Sequence, residues 1–92
     1  MKGKAFIVKT TGKIEYVEPE DGNYFSLKEL KKAIGGGYIE IVPFRPNLVM
    51  VVDEDGKMKR LPLNTVATRI YNSKTNDYIV GDVLVCCRKQ IR

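Results

Sequence analysis

The residues whose types and spacing favour binding chemistry surround a segment that reads as the start of a short helix. Asn64 precedes a run with helical periodicity, so its side chain is expected to cap that helix. The amides of Thr65 and the two residues after it would then be free at the helix N-terminus, which attracts anions. Arg60 and Arg69 lie near in sequence and add positive charge. The pattern predicts a small anionic ligand here, with Asn64 as a simple helix cap as the alternative.

Three further side chains extend this hypothesis towards a nucleotide-like ligand. Tyr38 and Tyr71 supply rings that stack on a base, and Arg45 supplies a guanidinium that pairs with a phosphate. Nucleic-acid binding is a second hypothesis, since it needs aromatic and basic residues interleaved on one sheet face. The sequence has both residue types but no RNA-binding signature.

The sequence contains few residues in patterns that support catalysis. The absence of histidine excludes Ser-His-Asp and Cys-His nucleophilic sites and His-based metal sites. Carboxylates cluster at 18–21 and 53–55, and the second cluster opens like a calcium loop, but Asn64 stands at the twelfth position where that loop requires Glu. Solvated turns explain both clusters. No catalytic residue, metal or cofactor is predicted, and an enzyme acting through carboxylates alone stays open as an alternative.

The elements that would position these residues begin with a capped helix, a glycine stop and a strand. Ser26 and Glu29 have the capping-box spacing. Gly35 is expected to end the helix with positive φ, and residues 38–42 alternate as a buried strand. The order of helix, glycines and strand argues against a phosphate loop, which runs strand, glycines, helix. Apolar residues fall on one helical face at Leu27, Leu30 and Ile34.

The remaining segments predict a small α+β domain over residues 1–92. A second helix is expected over 65–71, and two prolines are expected to make 43–47 irregular. The fold class is a mainly antiparallel, twisted sheet of about six or seven short strands with two short helices. The strands are expected at 4–9, 13–17, 38–42, 48–52, 57–61, 78–80 and 82–88, with a hairpin turn at 53–56.

Composition limits the partners and the compartment. The 92 residues carry a formal charge of +5, which favours acidic partners such as nucleotides or nucleic acid. Cys86 and Cys87 would point to opposite faces of a strand, so a disulfide between them is unfavourable and a reduced, cytoplasmic protein is expected. No apolar stretch approaches the roughly 20 residues that span a bilayer, so no membrane association is predicted.

Four spaced motifs resemble a known family: GGYIEIV at 36–42, VVDEDGK at 51–57, LPLNTVAT at 61–68 and IVGDVLV at 79–85. The chain is similar to an uncharacterised bacterial and phage family, carried on phages, plasmids and other mobile elements and named only as a domain of unknown function. The resemblance implies a host-cell setting and no established activity. Its matching positions are Gly36, Gly37, Tyr38, Glu40, Asp53, Gly56, Leu61, Pro62, Asn64, Ala67 and Gly81.

Two polar residues among these matches are worth testing: Glu40, which is a charged residue in an otherwise apolar strand, and Asn64. The predicted function is a non-enzymatic accessory protein of a phage or mobile element, which binds a small anionic ligand or a host protein and counters host defence. A nucleic-acid-binding module and a structural domain that forms homo-oligomers through its edge strands are the alternatives. The predicted ligand-binding residues are Tyr38, Glu40, Arg45, Arg60, Asn64, Thr65, Arg69 and Tyr71.

Overall fold

The structure, a computed structural model, describes residues 5–72 and 76–91. One antiparallel sheet with the strand order β2-β1-β5-β4-β3 forms its centre. The antiparallel α+β architecture is thus confirmed, with five strands in the described residues where the sequence suggests six or seven. The elements are β1 (Ala5–Val8), β2 (Ile14–Val17), α1 (Leu27–Ala33), β3 (Ile39–Arg45), β4 (Leu48–Asp53), α2 (Thr65–Tyr71), β5 (Val83–Cys87) and a 3₁₀ turn (Arg88–Gln90).

The sheet is covered by one helix on each face, so its core has two halves. Side chains alternate between the faces along β4 and β5, and both faces are buried. This explains why these two strands read as continuous apolar runs. The α1 face carries Ala5, Ile7, Val49, Val51, Leu84 and Cys86 beneath Phe25, Leu30 and Ile34. The α2 face carries Val8, Met50, Val52, Val83 and Val85 beneath Ala67 and Ile79, with Val66, Ile70 and Tyr71 at its margin.

Helix α1 begins with the predicted capping box, which is confirmed. The Ser26 hydroxyl accepts a hydrogen bond from the Glu29 amide at 3.1 Å, and the Glu29 carboxylate accepts one from the Ser26 amide at 2.9 Å. The second Glu29 oxygen accepts a hydrogen bond from the Glu20 amide at 3.0 Å. These backbone donors lower the pKa of Glu29 below its ordinary value.

The lowered pKa of Glu29 predicts a stability contribution that depends on pH. A carboxyl group with a depressed folded-state pKa stabilises the fold above its unfolded pKa, and this contribution disappears as the pH falls through the folded value. We expect Glu29→Gln to lower the Tm by a few degrees at neutral pH and by less below about pH 4. Thermal unfolding at stepped pH measures this difference. Glu54→Gln, at an exposed carboxylate, is the control, and a deficit for Glu29→Gln that stays constant with pH would contradict the prediction.

Helix α1 ends as the glycine pattern predicts, but one of its apolar residues is not buried. Gly35 has φ +86°, and the amides of Gly35 and Gly36 donate to the carbonyls of residues 32 and 31 in a Schellman arrangement. Leu30 and Ile34 lie in the core. Leu27 shares that helical face but is 58 % exposed, because this short helix buries one i,i+4 pair.

Strand β3 differs from its prediction in length and in burial. It lies at an edge of the sheet, and each of its residues is half-buried or exposed, so the expectation of a buried strand at 38–42 is wrong. It also continues through Pro43 to Arg45, where an irregular segment was expected. Tyr38 and Glu54 are hydrogen-bonded partners, so Pro43 falls in the alternate set whose nitrogens face away from β4. A proline there costs no ladder hydrogen bond.

Two other predicted strands are absent from the described residues. Residues 54–60 form consecutive turns, because the Asp53 carboxylate accepts hydrogen bonds from the Asp55 amide at 2.9 Å and from Lys59 Nζ at 2.8 Å. The predicted return strand at 57–61 is therefore wrong. The predicted strand at 78–80 reduces to a single bridge between Val80 and Leu63.

The two cysteines of β5 have different environments. Cys86 is buried on the α1 face, whereas Cys87 is half-buried. Both are free thiols. Burial raises the pKa of the Cys86 thiol to about 12, so this sulfur stays protonated near neutral pH and packs as a small apolar group.

Candidate functional site

Asn64 is a buried structural residue, and both polar atoms of its side-chain amide are hydrogen-bonded within the protein. Its Oδ1 accepts a hydrogen bond from the Ala67 amide at 3.0 Å, which confirms the helix cap. Its Nδ2 donates to the carbonyls of Val8 at 2.9 Å and Gly81 at 2.8 Å. The side chain has no solvent exposure, so it joins three segments of the chain and has no polar atom left for a ligand.

The start of α2 offers less to an anion than the sequence suggests. The expectation that the Ala67 amide is free is wrong, because Asn64 accepts its hydrogen bond. Thr65 and Arg69 are exposed and lie one turn apart on α2. Arg60 is exposed in the turn segment and has φ +59°. A ligand at these three residues stays a prediction.

Tyr38 directly precedes β3 and Arg45 is its last residue, so the two do not share a site. Seven strand positions separate them, roughly 20 Å at the usual rise per residue. Each has a local partner: Lys31 Nζ lies 5.6 Å from the centre of the Tyr38 ring, and the Arg45 guanidinium lies 5.7 Å from the centre of the Phe44 ring. Neither residue lines the groove described next.

Glu40 and Tyr71 are the two predicted site residues that the fold brings together. They line one groove of about 290 Å³ between β3, the end of α2 and residues 77–80. We call it the tyrosine groove, because Tyr71 and Tyr78 form its walls. Its full lining is Glu40, Val42, Val52, Asp53, Glu54, Lys57, Tyr71, Asp77, Tyr78, Ile79 and Val80.

Carboxylates dominate the electrostatics of the tyrosine groove. Four of its lining residues are acidic and one is a lysine. Asp53 is nearly buried and is neutralised by Lys59 at 2.8 Å. Asp77 is paired with Lys57. Glu40 and Glu54 are exposed and have no ion pair with a described residue, so the groove keeps a negative excess although the whole chain is basic.

The groove already holds one alkylammonium group, which belongs to the protein itself. Lys57 Nζ is hydrogen-bonded to the Asp77 carboxylate and lies 4.3 Å from the centre of the Tyr78 ring. The Asp77 hydrogen bond raises the pKa of Lys57, and the same contact lowers the pKa of Asp77. A carboxylate combined with an aromatic face is the arrangement that proteins use to bind cationic groups.

Sequence reasoning missed Lys57, Asp77 and Tyr78, which form the most distinctive part of the groove. Lys57 was assigned to a strand, and Asp77 follows a polar segment that reads as a loop. Their contact joins positions 20 residues apart, which no local pattern reveals. Glu40 was the one available signal, because a charge within an apolar strand points to an exposed edge.

Comparison with known proteins places the chain in a family. A family model described as a domain of unknown function, DUF3846, matches residues 1–91. The chain belongs to the DUF3846 family. This confirms the resemblance to a domain-of-unknown-function family at that level of description. No curated protein and no solved structure matches this DUF3846 chain.

A membrane-spanning helix and a metal-binding cluster are both absent from the described residues. None of the helices in residues 5–72 and 76–91 is both long and apolar enough to cross a bilayer. Within the same residues, no group of three or more cysteine, aspartate or glutamate side chains is arranged to hold a metal ion.

Proposed function

We propose that this DUF3846 domain is a non-enzymatic binding protein whose tyrosine groove takes up a basic segment of a partner protein. The carrying observation is the Lys57 ammonium, which is held between the Asp77 carboxylate and the Tyr78 ring. The groove thus holds one ammonium group, and Glu40 and Glu54 supply charge for a second. Accessory action in a phage or mobile element, within the host cytoplasm and against host defence, is part of this proposal and rests on the family resemblance.

The size and charge of the groove favour a side chain over a nucleotide. About 290 Å³ lies at the lower limit of small-molecule sites, which span roughly 300–1,000 Å³. Glu40 and Glu54, which have no ion pair with a described residue, would repel a phosphate group, whereas they attract lysine or arginine. The apolar floor of Val42, Val52 and Ile79 accommodates the methylene stem of such a side chain. The anionic-ligand, nucleic-acid and homo-oligomer hypotheses stay predictions without a specific structural observation in their favour.

Titration with a synthetic tetralysine peptide, followed by amide NMR shifts, tests the proposal. We expect shifts centred on Glu40, Tyr71 and Tyr78, and little response to tetraglutamate. The double variant Glu40→Gln/Glu54→Gln should weaken binding about fivefold, because each exposed ion pair contributes about 0.2–1 kcal/mol. Thr11→Lys/Asn47→Lys changes the net charge by the same amount at exposed positions away from the groove and serves as the matched control. Equal losses in both variants, or shifts centred outside the groove, would show that only overall charge matters.

The Lys57 ammonium group that occupies the groove allows a second, independent test of the same proposal. Lys57→Met removes the internal competitor and keeps a stem of similar length, so an external lysine side chain gains access to Asp77 and Tyr78. We expect tetralysine to bind several-fold more tightly to this variant. Lys28→Met, on the exposed side of α1, changes the net charge equally and is the control. An identical gain in tetralysine affinity for both variants would argue against a specific cation-binding site at Asp77 and Tyr78.

A further inference from the structure

The outer edge of β2 carries unpaired backbone groups that can be assigned from the hydrogen-bond register. The Lys9 amide donates to the Lys13 carbonyl at 2.9 Å, so this pair is hydrogen-bonded and the next pair, Val8 with Ile14, is not. The alternation continues along the strand. The N–H and C=O groups of Ile14 and Tyr16 therefore face away from β1, and no strand of the described residues pairs with them.

The two edges of the sheet differ in how they resist added strands. The β3 edge carries Pro43 in an outward-facing position and a register shift between Pro43 and Arg45, which are features that block strand addition. Strand β2 has neither a proline nor a register shift. Tyr16 is 70 % exposed and Ile14 is 38 % exposed on the α2 side of this edge. The β2 edge is therefore the open one.

A groove of about 350 Å³ lies beside β2 on the opposite, α1 side of the sheet. Glu15 and Val17 of β2 line it, since alternate side chains of the strand share one face. Its floor is apolar, with Ile7, Phe25 and Leu84. A strand added to β2 would direct every second side chain to the side of the sheet on which this groove lies. We call it the edge groove.

The charge of the edge groove indicates which occupant it suits. Glu15, Glu18 and Glu20 line it and have no ion pair within the described residues. Lys9 also lines it but is paired with Asp82 at 3.7 Å. Glu29 is a fourth carboxylate of the lining, and its oxygens accept hydrogen bonds from the backbone amides of Ser26 and Glu20. Lys32 is then the one lysine of this lining without an ion pair within the described residues. The groove therefore favours a basic occupant.

We propose that the β2 edge binds an extended segment of a partner protein, with apolar and basic side chains, as an additional antiparallel strand. The outward N–H and C=O groups of Ile14 and Tyr16 supply the main-chain hydrogen bonds, and the edge groove selects the side chains. A second copy of this chain suits the edge less well. Two-fold pairing of β2 about Glu15 would place two Glu15 carboxylates directly opposite each other, and like charges in that position are destabilising.

Amide hydrogen exchange with a synthetic peptide of alternating valine and lysine tests this proposal. Bound peptide should slow exchange at the Ile14 and Tyr16 amides by about tenfold or more, because these donors gain partners. The Glu15 amide faces β1 and should change little. An alternating valine and glutamate peptide is the charge control. Unchanged exchange at both outward amides under saturating peptide would overturn the proposal.

Tyr16→Pro separates main-chain pairing from side-chain contact. Proline removes an outward-facing donor, as Pro43 does on β3, without breaking the bonds to β1. We expect this variant to lose peptide binding, whereas Tyr16→Ala keeps the amide and the protection. Thermal unfolding of both variants establishes that each one folds. Equal peptide affinity for the two variants would refute strand addition.

Variants of the two grooves distinguish binding at the β2 edge from binding in the tyrosine groove. Glu15→Gln/Glu18→Gln should weaken several-fold the peptide binding that protects the Ile14 and Tyr16 amides, and Glu40→Gln/Glu54→Gln should leave that protection unchanged. The reverse pattern would show that the peptide binds in the tyrosine groove and not at the β2 edge. Sedimentation of the protein alone addresses self-association: a dimer that Tyr16→Pro dissolves would make a second copy the occupant and overturn the partner assignment.

Discussion

Replacing Asn64 with alanine is expected to lower the free energy of unfolding by about 3 kcal/mol or more. The substitution removes the cap of α2 and leaves the Ala67 amide without its acceptor. It also removes the hydrogen bonds that Asn64 Nδ2 donates to the buried carbonyls of Val8 and Gly81. Each buried group that loses its partner costs about 1–3 kcal/mol, so the total is large for a domain of this size.

Urea denaturation of the Asn64→Ala protein measures this loss, with Asn47→Ala as the matched control. Asn47 is exposed, and its main-chain carbonyl makes the contact with the Arg88 amide, so the control should change stability by less than about 0.5 kcal/mol. If Asn64→Ala were as stable as the control, Asn64 would not be the link between α2, β1 and the turn at Gly81. Asn64 would then be available for the ligand role that the sequence suggests.

Replacing Leu84 with alanine is expected to cost about 3 kcal/mol of unfolding free energy. Leu84 is fully buried in the middle strand of the sheet, on the α1 face. Its removal loses the transfer free energy of the side chain and leaves a cavity that the surrounding strands fill only in part.

Leu27→Ala makes the same chemical change at a position that is 58 % exposed, so it is the control for Leu84→Ala. Alanine and leucine have similar helix propensities, and we expect a change of less than about 0.5 kcal/mol. Denaturation midpoints of the two variants compare the two sites directly. Similar midpoints would contradict the placement of Leu84 at the centre of the core.

Local patterns predicted the parts of this fold that local interactions determine. Ser26 with Glu29 and the stop at Gly35 defined α1, and Asn64 defined the start of α2, because caps join residues at most five positions apart. The apolar runs of β4 and β5 were recognised because both faces of these strands are buried. Tertiary context decided the rest: residues 57–61 have strand-like composition, but the Asp53 carboxylate holds this part of the chain in turns.

The sequence predicted the residues of the candidate site less well than it predicted the fold. Glu40 and Tyr71 were selected separately and meet in one groove, whereas Tyr38 and Arg45 are separated by the length of a strand that was expected to end before Pro43. Proline usually ends a strand, and nothing in the sequence shows that its nitrogen faces solvent here. The pairing of Lys57 with Asp77 depends on chain folding over 20 positions.

The position of β5 in the middle of the sheet has a consequence for how the chain acquires its fold. Two hairpins, β1–β2 and β3–β4, precede β5 along the chain, and neither pairs with the other. Ile7 must find Leu84 across almost the whole described sequence before the hairpins become one sheet. During synthesis on the ribosome, the edges of β1 and β4 that pair with β5 therefore stay without a partner until residues 83–87 have been made. Such long-range closure slows folding and makes the last step cooperative.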